Sequence, residues 1–138
     1  MGHHTVQEAM TSNPTTVSPD TAAREAAQIM KSEDTGIVPI VEGERLVGVI
    51  TDRDLTLKIV AEGRSADTPV AELASKDLVT IDPQQSLEEA ARLMAEHQVR
   101  RLPVVEEDGR LVGILSQKDL ADAGHDTLTG EVVERISQ

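Results

Sequence analysis

The chain has 138 residues, no cysteine, no phenylalanine, tyrosine or tryptophan, and a formal net charge of -12. Lack of cysteine excludes disulfides, thiolate metal sites and thiol nucleophiles, and the acidic balance opposes nucleic acid and anionic membranes as partners. No run approaches the roughly 20 apolar residues of a membrane span, and the opening MGHHTVQEAM has neither the basic start nor the apolar stretch of a secretory signal, so a cytoplasmic protein is expected.

In chain order, a short strand at Thr15–Val17 leads through a Pro19 turn into a helix whose Ala23, Ala26, Ala27 and Met30 fall at i, i+3, i+4 and i+7, one buried stripe. Two apolar runs follow, Ile37–Val41 and Leu46–Ile50, split by a Glu/Gly turn and expected as a hairpin. The second run ends in Thr51-x-x-Asp54, after which LTLKIVAE reads as a helix stopping near Gly63. GRSADTP, residues 63–69, has the small polar, glycine and proline content of a linker.

The chain then repeats itself. Shifting by 64 places sets Val6 on Val70, Pro19 on Pro83, Ala26-Ala27 on Ala90-Ala91, Met30 on Met94 and Pro39 on Pro103. One inserted residue later, RLVG at 45–48 meets RLVG at 110–113 and Asp54 meets Asp119. Matches across a whole unit indicate duplication. The second copy predicts a strand at Val79–Ile81, a helix striped by Leu87, Ala90, Ala91 and Met94 and opened by the capping box Ser86-Leu87-Glu88-Glu89, and a hairpin of Leu102–Val105 and Leu111–Leu115. It ends in Ser116-x-x-Asp119 and a final helix. Beyond Gly124, Val132, Val133 and Ile136 share one face of a possible last helix expected to dock on the protein's own body rather than on a partner chain.

One βαββα unit of about 60 residues is marginal alone, so the two are expected to pack as a pair. The fold class is therefore α/β (α+β), tandem βαββα repeats in a pseudo-twofold pair: repeat one at 6–62, linker 63–69, repeat two at 70–123, tail 124–138.

Two copies of an apolar run around a proline, VPIV at 38–41 and LPVV at 102–105, followed by a turn and L-V-G-h-h-[ST]-x-x-D-L, resemble a CBS (cystathionine β-synthase) domain pair, or Bateman module, over residues 6–123. TDRDL together with EHQVRRLPVV is similar to stand-alone CBS-pair proteins of the hypoxic response type. The resemblance implies a regulatory module without catalysis, two related clefts between the repeats, and AMP, ADP, ATP or S-adenosylmethionine as ligand. It implies a homodimer and, since the sequence shows no effector domain, output through self-association or a separate effector protein.

The same resemblance makes Asp54 and Asp119 the ribose contacts and Thr51 and Ser116 the adjacent polar ones. A carboxylate accepting two hydrogen bonds suits a vicinal diol. Thr15 and Thr16 are expected to line the cleft of the second motif, Val79 and Thr80 that of the first, with Ile37, Val38 and Leu102 against the base. Arg53 and Lys118 offer one cation inside each motif. Arg100 and Arg101 precede the second-copy strand where the first copy has Gly36 and Ile37, which favours the Ser116/Asp119 cleft for a phosphorylated ligand.

Plainer roles stand beside these. Thr51/Asp54 and Ser116/Asp119 each suit a helix start, with the hydroxyl as N-cap. Arg100-Arg101 equally suits a solvated pair or a dimer contact, and the whole chain suits an interaction module without ligand. An enzyme ranks last, because no P-loop, G-x-S-x-G turn or His-acid pair at metal spacing is present. No metal site is expected either.

Overall fold

The computed structural model describes residues 4–123, so the possible helix around Val132, Val133 and Ile136 lies outside the described residues. In chain order these form α1 (Val6–Ala9), β1 (Thr11–Ser12), α2 (Ala23–Glu33), β2 (Ile37–Glu42), β3 (Arg45–Thr51) and α3 (Asp52–Asp54). The chain continues through a π-helical stretch, Leu55–Val60, and a 3-10 turn, Val70–Glu72, to α4 (Leu87–His97), β4 (Arg101–Val105), β5 (Leu111–Ser116) and α5 (Gln117–Ala123). No helix among the described residues is long and apolar enough to cross a membrane.

The chain divides into two compact units: one is Thr15–Leu78, the other joins the residues up to Pro14 to those from Val79 onward. The packing unit is thus spliced relative to the repeat. Val6, which leads repeat one, is fully buried with Ile81, Leu87, Ala90, Met94 and Leu115 of repeat two. Val70 and Leu73, which lead repeat two, are fully buried with Val17, Ala26, Val38 and Ile50 of repeat one.

Backbone hydrogen bonds fix this exchange in the same way twice. Val6 N–H donates to Gln85 O, Gln7 to Pro83 O and Leu87 to His4 O, at 2.9, 2.9 and 3.2 Å. Val70 donates to Thr21 O, Ala71 to Pro19 O and Ala23 to Thr68 O, at 2.8, 3.1 and 2.8 Å. Every donor and acceptor in the second set is the repeat partner of one in the first. The segment 63–69 joins this set of contacts: Ala66 O accepts from Arg24 N–H at 2.9 Å, and the Asp67 carboxylate pairs with Arg24. It thereby serves the start of α2, whose N-cap position, Ala22, has no capping side chain.

In the unit Thr15–Leu78, β2 and β3 form a two-stranded antiparallel hairpin, Ile37 opposite Thr51. Gly43 opens its two-residue turn at φ +64, a conformation that glycine adopts without strain. In the other unit β1, β5 and β4 make a three-stranded sheet, Arg101 opposite Ser116. Both hairpins are irregular at one repeat position, between Ile40 and Val41 and between Val104 and Val105.

Three expectations are corrected. The strands Thr15–Val17 and Val79–Ile81 shrink to single parallel bridges, Val17 to Ile40 and Ile81 to Val104. Val17 N–H donates to Pro39 O and Val17 O accepts from Val41 N–H; the next rungs would need N–H groups from Pro39 and Pro19, which have none, and Pro103 and Pro83 stop the other copy likewise. Ala27 is exposed, whereas its partner Ala91 is buried. Ala91 shares a core with Leu120 of α5, while the Leu120 counterpart, Leu55, is only half-buried. Third, the capping box at Ser86 is half made: Ser86 Oγ accepts from Glu89 N–H at 3.0 Å, but the Glu89 carboxylate turns to Arg92, which holds its pKa below the usual range.

The helix expected over LTLKIVAE is present as the π-helical stretch, with Ala61 N–H bonded to Thr56 O and Arg64 N–H to Ile59 O, both five residues back.

The repeat-partner glycines Gly113 and Gly48 predict unequal tolerance. A Cβ on Gly113 would overlap Met10 Sδ and stand 2.9 Å from the backbone Thr11 O, whereas on Gly48 it would stand 3.3 Å from Ser75 O and 3.7 Å from Ala74 Cβ. Gly113→Ala should cost about 1–3 kcal/mol by overpacking and Gly48→Ala distinctly less, as read from urea midpoints by circular dichroism.

Candidate functional site

Each [ST]-x-x-D motif sits where the last strand of a hairpin becomes a helix, and its side chains close on its own backbone. Thr51 N–H donates to Asp54 Oδ2 at 2.9 Å while Asp54 N–H donates to Thr51 Oγ1 at 3.1 Å. Ser116 N–H donates to Asp119 Oδ2 at 2.9 Å and Asp119 N–H to Ser116 Oγ at 3.0 Å. All four residues are half-buried. The capping role expected of the pair is therefore present twice. It also orients the acid, since one carboxylate oxygen is spent on the cap and, among the described residues, Oδ1 of each has no bonded partner. Such an oxygen can accept a hydroxyl at little ordering cost.

The preceding strand is locked to the motif by one more bond. Gly36 O accepts from Asp52 N–H at 2.9 Å, and Arg100 O from Gln117 N–H at 2.8 Å. The parallel bridges run Thr15 and Thr16 toward the same end of their hairpin as Ile37, Val38 and Thr51, and Val79 and Thr80 toward that of Arg101, Leu102 and Ser116. Each unit thus gathers one motif and the lead-in of the same repeat at one sheet end.

Within these gatherings the named residues differ in availability. Val38 and Leu102 are fully buried and serve the core, and Ile37, Thr16, Val79 and Arg101 are half-buried. Thr15 and Thr80 are exposed, and Thr15 Oγ1 donates to Glu33 Oε2 at 2.5 Å. Arg53 and Lys118 are exposed one position before the motif acid. Arg24, Arg64, Arg92 and Arg110 are held in ion pairs, but no such pair among the described residues holds Arg100 or Arg101. Two guanidinium-bearing residues at Ser116, against Gly36 and Ile37 at Thr51, is the main electrostatic difference between the motif ends. Among the described residues no three His, Cys, Asp or Glu side chains converge as a metal site would require.

One feature is not apparent from the predicted elements. A cavity of about 260 Å³ lies in the unit Thr15–Leu78, walled by Pro19, Ile40, Val47, Gly48, Ala71 and Ala74 with Glu42 and Lys76 at its edge. Its signal is in the repeat alignment, which places Met10 opposite Ala74.

The CBS domain model matches residues 6–61 and 70–126. CBS domain-containing protein YhcV of Bacillus subtilis is 47% identical over 116 residues, 84% of this chain and 82% of that protein. Hypoxic response protein 1 of Mycobacterium tuberculosis is 40% identical over 119 residues, 85% of this chain and 82% of that one. A crystal structure of Hypoxic Response Protein I, with two coordinated zinc ions, superposes with a TM-score of 0.79 at 38% identity, covering 86% of this chain and 98% of that one. The CBS domain pair of protein MJ0100, in complex with 5′-methylthioadenosine and S-adenosyl-L-methionine, reaches 0.78 at 25% identity over 87% of this chain and 94% of that one.

The caps make a stability prediction. Thr51→Ala and Ser116→Ala should each lose about 1 kcal/mol, measured from chemical denaturation midpoints, while Thr51→Ser, which keeps the hydroxyl, should stay close to the parent midpoint.

Proposed function

The chain belongs to the CBS domain family and carries the domain twice, and from that premise we propose a non-catalytic sensor that binds an adenine nucleotide or another adenosyl ligand at its motif ends. The observation that carries this reading is the reciprocal cap, which presents an oriented carboxylate oxygen at Asp54 and again at Asp119. The two adenosyl ligands of the MJ0100 pair support the ligand class. Neither YhcV nor Hypoxic response protein 1 is named for a reaction, which supports a role without catalysis.

The end at Ser116 and Asp119 is proposed for the phosphorylated ligand. Arg100 and Arg101 flank it and can clamp phosphate bidentately, and neither is held in an ion pair by a described carboxylate. The end at Thr51 and Asp54, with Arg53 alone inside the motif, is proposed for a less charged adenosyl ligand. AMP, ADP, ATP and S-adenosylmethionine are the ligands to try. Thr15 and Thr16 are proposed as lead-in contacts to one adenosyl ligand, and Val79 and Thr80 to the other. Ligand would act by favouring one state of a homodimer or of a complex with an effector protein, to the extent that its affinity differs between the states.

With no tryptophan or tyrosine, an absorbance band at 260 nm in purified protein reports carried nucleotide almost without background. Added singly, at least one of the four ligands should raise the melting temperature in proportion to the logarithm of its concentration. Asp119→Ala should abolish the response to the phosphorylated ligand, and Arg100→Gln with Arg101→Gln should weaken it more for ATP than for S-adenosylmethionine. No response to any ligand and no carried nucleotide would leave the interaction module as the function.

A further inference from the structure

At the cavity over Gly48 the exchanged segments of the two repeats differ, with Ala74 standing where the other copy has Met10. Thr11 and Ser12 run alongside β5, Thr11 opposite Ile114 and Ser12 opposite Gly113, and Met10 precedes them. Their repeat partners are Ala74, Ser75 and Lys76, and Ser75 bridges Val49 as Thr11 bridges Ile114. In one unit the Met10 thioether fills the space above the glycine, its Cγ 2.9 Å from where a Cβ would stand. In the other, Ala74 ends at its Cβ, and a cavity of about 260 Å³ lies between Pro19, Ile40, Val47 and Ala71.

We propose that this cavity binds a free α-amino acid with an unbranched thioether or alkyl side chain, of which methionine is the simplest case. The side chain takes the place over Gly48 that Met10 takes over Gly113. Lys76 and Glu42, exposed residues of opposite charge at the cavity's edge, receive the carboxylate and the ammonium. The volume falls short of the roughly 300–1,000 Å³ that encloses drug-sized ligands, which suits an amino acid better than a nucleotide. The walls are aliphatic, and an unbranched, polarizable chain adapts to such a gap better than a branched one. Parallel pairing of Val17 with Ile40 puts Pro19 and Glu42 toward the turn of the hairpin, whereas Thr51 is at its other end. The site is therefore separate from the proposed nucleotide contacts, and either can fail without the other.

The test is calorimetric melting of the full chain with L-methionine and L-norleucine titrated into the millimolar range, beside N-acetyl-methionine amide, which has the side chain without the charges. Both amino acids should raise the melting temperature with the logarithm of concentration and the uncharged derivative should not. Ala74→Met, which restores the Met10 arrangement, should abolish the response while keeping that to nucleotide. Lys76→Gln should weaken amino acid affinity about tenfold, and this variant carries the test should Ala74→Met fail to fold. Absence of any response to the amino acids, an equal response to N-acetyl-methionine amide, or an undiminished response in Lys76→Gln overturns the proposal.

Discussion

Neither repeat closes its own core. The leading segment of each, Val6 onward or Val70 onward, is bonded to the turn before the main helix of the other and buries its first apolar side chain there completely. A unit of this size buries too little surface to lose such a piece cheaply, and the buried valines are among the best-packed residues of both clusters. The remaining features follow from that closure. The start of α2 can lack a capping side chain because Thr68 and Ala66 carbonyls receive its free N–H groups, and Gly113 must lack a side chain because the Met10 side chain and the Thr11 carbonyl stand where a Cβ would be.

Prolines then decide where pairing stops. Pro19 with Pro39, and Pro83 with Pro103, reduce the lead-in of each repeat to a single bridged residue, so Thr15-Thr16 and Val79-Thr80 are released from ladder bonding near the end where the motif begins. At that end the hairpin hands over to a helix through a reciprocal cap, with the entering strand tied by Gly36 O or Arg100 O. Backbone geometry common to both copies therefore presents different chemistry: two arginines at one end, a glycine and an isoleucine at the other.

Much of this is legible in the order of residues alone, for identifiable reasons. The hairpins and helices repeat in register, and matched prolines and glycines leave little freedom in where the elements begin. The motif's dual character is legible because a hydroxyl three residues before an acid is a cap in any helix start. The exchange is not legible: pairing Val6 with Val70 says that the two are equivalent, and nothing in that pairing says which core each enters. Periodicity misplaces Ala27 because alanine is small enough for either side of a helix stripe, and the counterpart of the Leu120 that shares a core with Ala91 is Leu55, which is only half-buried. The cavity is hidden because Met10 and Ala74 both read as ordinary apolar positions, and only the fold sets a glycine beneath each of them.

The exchange also sets an order of assembly. The unit Thr15–Leu78 is contiguous in the chain and completes itself as soon as Val70 and Leu73 leave the ribosome. The other unit needs Val6, made well before its partners, to wait for Leu87, Ala90 and Leu115. Contacts over such a separation are slow to form, and an apolar segment held open during synthesis is exposed to misassociation. A methionine, an alanine and a valine on a stretch otherwise polar at Gln7 and Glu8 are a modest hazard of that kind, and the nascent chain carries it until β5 has been made.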